Sequence, residues 1–231
     1  MKYMYLYLLD TMADWEHGYL LQVLSLQNMT AAHQLTVKTV GKTKQAIKTA
    51  GGLTLIPDVT LDEVVMEDAA ALVLIGADTW LDEEQENVLT LAADFLQSGK
   101  LVAAICGATL GLADKGLLNN RPHTSNAPFF LSSMSDNYSG QAYYQDDVAV
   151  SDKNLITASS AGSLLWAKYI IEKLDLYSSE TIAAWYKYFS TGNPQYYGEL
   201  VASLSEPKVV DKFFYQLCQE KRSNTKFLEV T

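Results

Sequence analysis

The stretch Lys100-Leu-Val-Ala-Ala-Ile-Cys106-Gly-Ala-Thr-Leu-Gly-Leu-Ala-Asp-Lys115 constrains this chain more than any other. Leu101 to Ile105 is an unbroken apolar run, the pattern of a parallel strand buried on both faces. It stops at Cys106, and Gly107-Ala108-Thr109 opens a helix whose Leu110, Leu112 and Ala113 fit an inward face. A strand that passes into a helix through a Cys-Gly step is a nucleophile-elbow arrangement. The sharp turn lifts the side chain out of the sheet, and the glycine tolerates close approach of neighbouring backbone. The helix would aim its free N–H groups and positive end at the sulfur, which favours thiolate over thiol. The competing reading is a buried, inert cysteine at a strand end, since free cysteine is among the most buried residue types.

Strand and helix patterns alternate on either side of this elbow. Tyr3 to Leu9 reads as the first strand, and Asp14 as the cap of a helix through about Met29, with Glu16 in its first turn. Leu35 to Val40 is the second strand, and Gly51-Gly52 turns a small hairpin between Thr43–Ala50 and Leu53–Ile56. Leu61 to Met66 reads as a short helix, Ala70 to Ile75 as a buried strand ending at Gly76-Ala77-Asp78, and Glu83 to Ser98 as an amphipathic helix. Beyond the elbow, Pro122 to Asn126 is extended and Ala127 to Met134 helical. Tyr143–Val150 pairs with Leu155–Ala158, and Ser159-Ser-Ala-Gly162 leads into a helix through Leu174.

This alternation predicts an α/β fold, an open and mostly parallel sheet covered on both faces, whose ligands sit outside the carboxyl ends of the strands. Three candidate groups fall at such ends: the Asp10–Glu16 loop, Gly76-Ala77-Asp78 and Cys106. From Ser178 onward the chain reads as two or three more helices, broken at Asn193-Pro194 and Glu206-Pro207, with a frayed tail over 219–231. Its aromatic run, Trp185 to Tyr197, packs on the sheet domain or a second subunit, with a lid over the site as the alternative. The division expected is a domain over 1–176 and a helical extension over 177–231.

The formal charge of −10 argues against a nucleic-acid-binding face and an anionic membrane surface. The N-terminus lacks the length and cleavage site of a signal peptide, and no apolar stretch is long enough to span a bilayer. Two well-separated cysteines, Cys106 and Cys218, then fit free thiols in a reducing cytoplasm. No CxxC, HExxH or clustered Cys/His pattern points to a metal, and no cofactor is implied.

Several motifs, in this order, resemble the ThiJ/PfpI family of the class I glutamine-amidotransferase-like superfamily. They are Asp14-Trp15-Glu16, Leu74-Ile75-Gly76, Ala104-Ile105-Cys106-Gly107-Ala108, Gly116-Leu117-Leu118, and Leu155-Ile156-Thr157-Ala158 with Gly162. The likeness covers about residues 1–175. It implies a flavodoxin-like three-layer sandwich, a reactive Cys106 and a homodimer. It also implies that Glu16, held protonated by burial, donates a hydrogen bond to the Cys106 thiolate, and that the N–H groups of Gly76 and Gly107 form the oxyanion hole. Many relatives carry a histidine near the elbow; here Asn126 falls at that position, and an amide cannot accept a proton at neutral pH. His123 should face the opposite side and be structural, while His17 and His33 read as surface residues. None of the three fits a Cys-His-Glu glutaminase triad.

These readings predict a cysteine hydrolase or amidase-like enzyme acting on a small molecule. Cys106 is the nucleophile, Glu16 its acid/base partner, Gly76 and Gly107 the oxyanion donors, and Asn126 and Asp78 the substrate-facing residues. The alternatives are a stress-associated sensor in which an oxidant converts Cys106 to a sulfinate, and a glyoxalase- or deglycase-like enzyme acting on reactive carbonyls.

Overall fold

The computed structural model describes residues 2–30 and 35–204. The strands are β1 (Lys2–Tyr7), β2 (Leu35–Gly41), a small antiparallel hairpin of β3 (Ile47–Lys48) and β4 (Thr54–Leu55), then β5 (Val59–Thr60), β6 (Ala69–Leu74), β7 (Leu101–Ile105), β8 (Ala149–Asp152) and β9 (Leu155–Ala158). Seven of them form one sheet in the order β5-β2-β1-β6-β7-β9-β8. All its pairings are parallel except the β8–β9 edge. The apolar run that dominates the sequence is β7, buried at every residue, with β6 and β9 on either side. It reads as continuous rather than alternating because helices cover both of its faces.

The helices are α1 (Gly18–Ser25), α2 (Glu86–Gln97), α3 (Gly107–Asp114), α4 (Pro128–Met134), α5 (Ser163–Lys173), α6 (Ser179–Thr191) and α7 (Pro194–Leu204). From β1 the chain steps outward to β2, then returns to β6 on the other side and proceeds to β7. Right-handed crossovers in opposite directions place α1 and α2 on opposite faces, giving the expected three-layer α/β sandwich. The order reverses between β1 and β6, and the loops after β1, β6 and β7 open at that end of the sheet.

Local differences from the sequence reading have physical causes. Asp14 does not cap α1, which starts at Gly18 after His17. Its Oδ2 instead accepts the Gly51 N–H at 2.6 Å, pinning the β3–β4 hairpin to the loop after β1. The segment 61–66 is not one helix but two 3₁₀ turns, Leu61–Glu63 and Met66–Asp68, the first closed by a Thr60–Glu63 capping box. His17 is half-buried rather than on the surface, its Nδ1 enclosed without a hydrogen bond and its basicity lowered by burial. His33, Cys218 and the predicted helix after Pro207 lie outside the described residues.

Trp185, Tyr186 and Phe189 of the aromatic run pack inward on the core beside α1 and α5, while Tyr197 is exposed. The Trp185 side chain is fully buried, and its Nε1 donates to Gln22 Oε1 of α1 at 2.6 Å. The Tyr177 hydroxyl donates to the Val23 carbonyl at 2.7 Å, and Phe189 meets Tyr19 edge-on. Trp185→Phe keeps most of the packing but leaves Gln22 Oε1 unpaired. It is expected to cost about 1–2 kcal/mol, a Tm drop of roughly 2–8 °C by calorimetry for a chain of this size. No helix among the described residues is long and apolar enough to cross a membrane.

Candidate active site

At the end of β7 the Cys106 N–H donates to the Ala158 carbonyl at 2.9 Å, extending the ladder to β9 by one residue. The backbone then turns sharply: Cys106 has φ 55° and ψ −126°, a region that a non-glycine residue occupies only under constraint. The constraint comes from both sides. The Cys106 carbonyl accepts from the Thr109 N–H at 3.1 Å and the Thr109 hydroxyl at 2.6 Å, and that hydroxyl lies 2.6 Å from Ser125 Oγ. Gly107 must be glycine, because a Cβ there would stand 2.6 Å from the Ala77 carbonyl oxygen. This is the predicted elbow, with the sulfur partly exposed at its apex.

Glu16 is brought beneath the sulfur by the loop after β1. The Ala13 N–H donates to the Gly76 carbonyl at 2.8 Å, and the Gly76 N–H returns a bond to Glu16 Oε2 at 2.7 Å. A Cβ on Gly76 would fall 2.7 Å from Cys106 Cβ and 2.8 and 2.9 Å from the two Glu16 oxygens, so cysteine and carboxyl converge on the space this glycine leaves open. Glu16 is wholly buried, and its Oε1, with no backbone partner, is the oxygen left for the thiol. The Gly76 N–H expected in the oxyanion hole is thereby committed to Glu16. Its role here is to hold the acid.

Asn126 stands on the exposed side of the sulfur. Its Oδ1 accepts the Ser160 N–H at 2.9 Å, and its Nδ2 donates to Cys106 Sγ at 3.2 Å. A backbone N–H can only donate, so this bond fixes which end of the amide faces the thiol. Asp78, expected to face substrate, is exposed, and the structure gives it no bond to Cys106, Glu16 or Asn126; its backbone N–H donates to Thr11 Oγ1 at 3.0 Å. His123 is fully buried in a structural role, its ring nitrogens 2.8 Å from the Arg121 carbonyl and the Tyr138 hydroxyl.

The electrostatics correct one expectation. Burial holds the Glu16 carboxyl above its ordinary range, against the pull of the Gly76 N–H. Burial also pushes the Cys106 thiol up to about 11; the Asn126 amide and Gly107 N–H oppose the rise, while the Glu16 charge and its bond to the thiol add to it. The helix N-terminus alone predicts a thiolate, but desolvation and a neighbouring carboxylate outweigh it. Burial raises both groups, so the pair retains a proton that Sγ and the Glu16 carboxyl share, and the two titrate as one system.

A family model described as DJ-1/PfpI matches residues 2–173. The chain belongs to the DJ-1/PfpI family. Among its DJ-1/PfpI relatives, the uncharacterized protease YoaZ of Bacillus subtilis is 41% identical over 203 residues, 87% of this chain and 97% of that protein. The crystal structure of a thiJ/pfpI family protein from Bacillus anthracis superposes with a TM-score of 0.84 at 38% identity, over 87% of this chain and 96% of that one. That of the DJ-1 superfamily protein Atu0886 from Agrobacterium tumefaciens gives 0.72 at 27% identity, over 84% and 100%.

The structure adds three residues to this DJ-1/PfpI site that sequence reading did not find. Thr109 had a readable signal, a hydroxyl in the first turn of a helix three residues after the carbonyl it bonds. Ser125 and Ser160 had none: Ser125 sits on a segment held to β9 by the Thr124 N–H bond to Thr157 Oγ1, and Ser160 acts through a backbone N–H that follows β9, so only the tertiary fold brings them near the elbow. A cavity of ≈ 330 Å³ lies elsewhere, lined by Tyr7, Asp10, Lys42 and Gln85 among others and not by Cys106. The strained cysteine with its two flanking side chains is the better marker of chemistry. Among the described residues no group of three or more His, Cys, Asp or Glu could hold a metal ion.

Proposed function

We propose that this chain is a hydrolase of small acyl compounds that works through a covalent intermediate on Cys106. The observation that carries the reading is the cysteine at φ 55°, partly exposed at the tip of the elbow, with a buried carboxyl on one side and an amide donor on the other. Strain of this kind persists where the surrounding structure over-determines it, and it clusters at functional sites. Glu16 takes the thiol proton as sulfur attacks a carbonyl carbon. Two donors beside the sulfur serve the charge that then develops on oxygen, the Gly107 N–H and the Asn126 amide. Membership of a family that includes a relative named as a protease agrees with nucleophilic hydrolysis as the reaction class.

The test is turnover of a panel of small esters, thioesters and amides by the wild type and by Cys106→Ala, with intact-protein mass spectrometry of quenched samples. The expected result is an acyl adduct on Cys106 that forms and decays during turnover, and a loss of at least about 10³-fold in kcat in the variant. Equal turnover by Cys106→Ala would remove the proposal. So would a wild-type cysteine that peroxide converts to a stable sulfinate while no acyl compound is consumed, the behaviour of a sensor.

A further inference from the structure

The two sides of the Cys106 sulfur differ in kind, and the difference bears on what can leave from a bound acyl group. On the buried side stands Glu16, 0% exposed and clamped by the Gly76 N–H at 2.7 Å. Its carboxyl can exchange a proton with Sγ but does not reach the exposed face, where substrate must arrive and the leaving group depart. On that face stands Asn126, with Oδ1 committed to the Ser160 N–H and only N–H bonds offered toward the reacting centre. A donor-only amide stabilises developing negative charge but neither takes a proton nor gives one up at neutral pH.

Among the described residues, the structure bonds no other titratable side chain to the dyad or to Asn126 that could supply the missing proton. His123 is buried with both ring nitrogens engaged. His17 follows Glu16 directly, but its Nδ1 is itself enclosed, and the structure gives it no bond to the elbow. The buried Thr109 and Ser125 hydroxyls face each other and the Cys106 carbonyl. Asp78 makes no bond to the dyad, and only its backbone N–H is engaged, with Thr11.

We infer that the substrates are activated acyl compounds, thioesters and aryl or enol esters, whose leaving group departs as a stable anion, and not amides or peptides. The inference rests on the hydrolase reading above and narrows it. In acylation, Sγ bonds to the carbonyl carbon, the Sγ proton passes to Glu16, and the bond to the leaving group breaks with its electron pair. The leaving group departs as thiolate or oxyanion. In deacylation, water adds to the thioester carbon and the C–S bond breaks. One hydrogen of the water stays on the product acid and the other returns to sulfur. The proton held by Glu16 then passes to solvent, balancing the charge the leaving group carried away. A thiol near pKa 8.5 or a phenol near 10 leaves unassisted on this scheme. An amine cannot, because its unprotonated leaving form is a far stronger base than either.

The test compares 4-nitrophenyl acetate, S-phenyl thioacetate and 4-nitroacetanilide on the wild type, Asn126→Ala and Cys106→Ala, with mass spectrometry of the acyl-enzyme. The ester and thioester are expected to acetylate Cys106 and turn over, with anilide turnover at least about 10³-fold lower in kcat/KM. Asn126→Ala is expected to lower kcat for the ester by about 10²-fold with a smaller change in KM, whereas a merely structural asparagine would leave that ratio unmoved. Anilide turnover within tenfold of the ester, with acetyl-Cys106 observed, would overturn the inference and leave the hydrolase reading standing. Absence of acetyl-Cys106 with all three compounds would overturn both.

Discussion

Gly76→Ala is expected to dismantle the cysteine–glutamate pair and to lower stability by about 1–3 kcal/mol, the range for forcing an extra methyl into a packed site. The added carbon would lie 2.7 Å from Cys106 Cβ and under 3 Å from both Glu16 oxygens, so something at the site must shift. Cys106 is tied to β9 through its N–H and to α3 through its carbonyl, while Glu16 is wholly buried and bound by the very residue being changed. Relief must come from rotating the carboxyl away from Gly76, which strands a buried acid, or from moving the loop after β6. Urea unfolding would read the cost as a lower midpoint at unchanged m. Cys106 alkylation in the folded variant would lose its dependence on residue 16, so that adding Glu16→Gln changes nothing further. Wild-type stability with the Glu16 effect intact would show that the convergence on Gly76 is not a constraint.

Much of this site was legible in the sequence, and where it was not the reason is specific. The continuous apolar run of β7 and its Cys-Gly stop carry their own structural instruction, because only a two-sided burial and a tight turn satisfy them. Glu16 and the position of Asn126 came from resemblance, since nothing in a lone carboxylate near a helix start distinguishes it from simple dipole stabilisation. Gly76 was placed at the site but given the wrong bond. A glycine announces that backbone approaches closely, yet its type does not say where its N–H points. Asp14 was misread for a similar reason: an Asp before a helical pattern is a good cap, but the hairpin glycine Gly51 offered it an N–H that the linear sequence does not show to be near. The thiolate was expected from the helix N-terminus and, by resemblance, from a protonated Glu16 donating to it. Burial and the adjacent carboxylate, both tertiary effects, reverse the sign.

That reversal governs how the elbow handles its proton, and the pH dependence of Cys106 alkylation tests it most directly. Wild type, Glu16→Gln and Asn126→Ala would be reacted with iodoacetamide across pH 6 to about 12, within the range where each stays folded, with Cys218→Ser in every background to isolate one thiol. The thiol is pushed up to about 11 by burial, held down by the Asn126 bond and raised further by the Glu16 charge. Glu16→Gln removes a negative neighbour and its midpoint should therefore fall. Asn126→Ala removes a donor to the sulfur anion, and its midpoint should rise. A wild-type midpoint above the free-thiol value of about 8.5, with opposite shifts in the two variants, is the predicted result. A midpoint well below that value, unmoved or raised by Glu16→Gln, would mean that the resting site is a thiolate beside a neutral acid, and would contradict the proton arrangement proposed for this elbow.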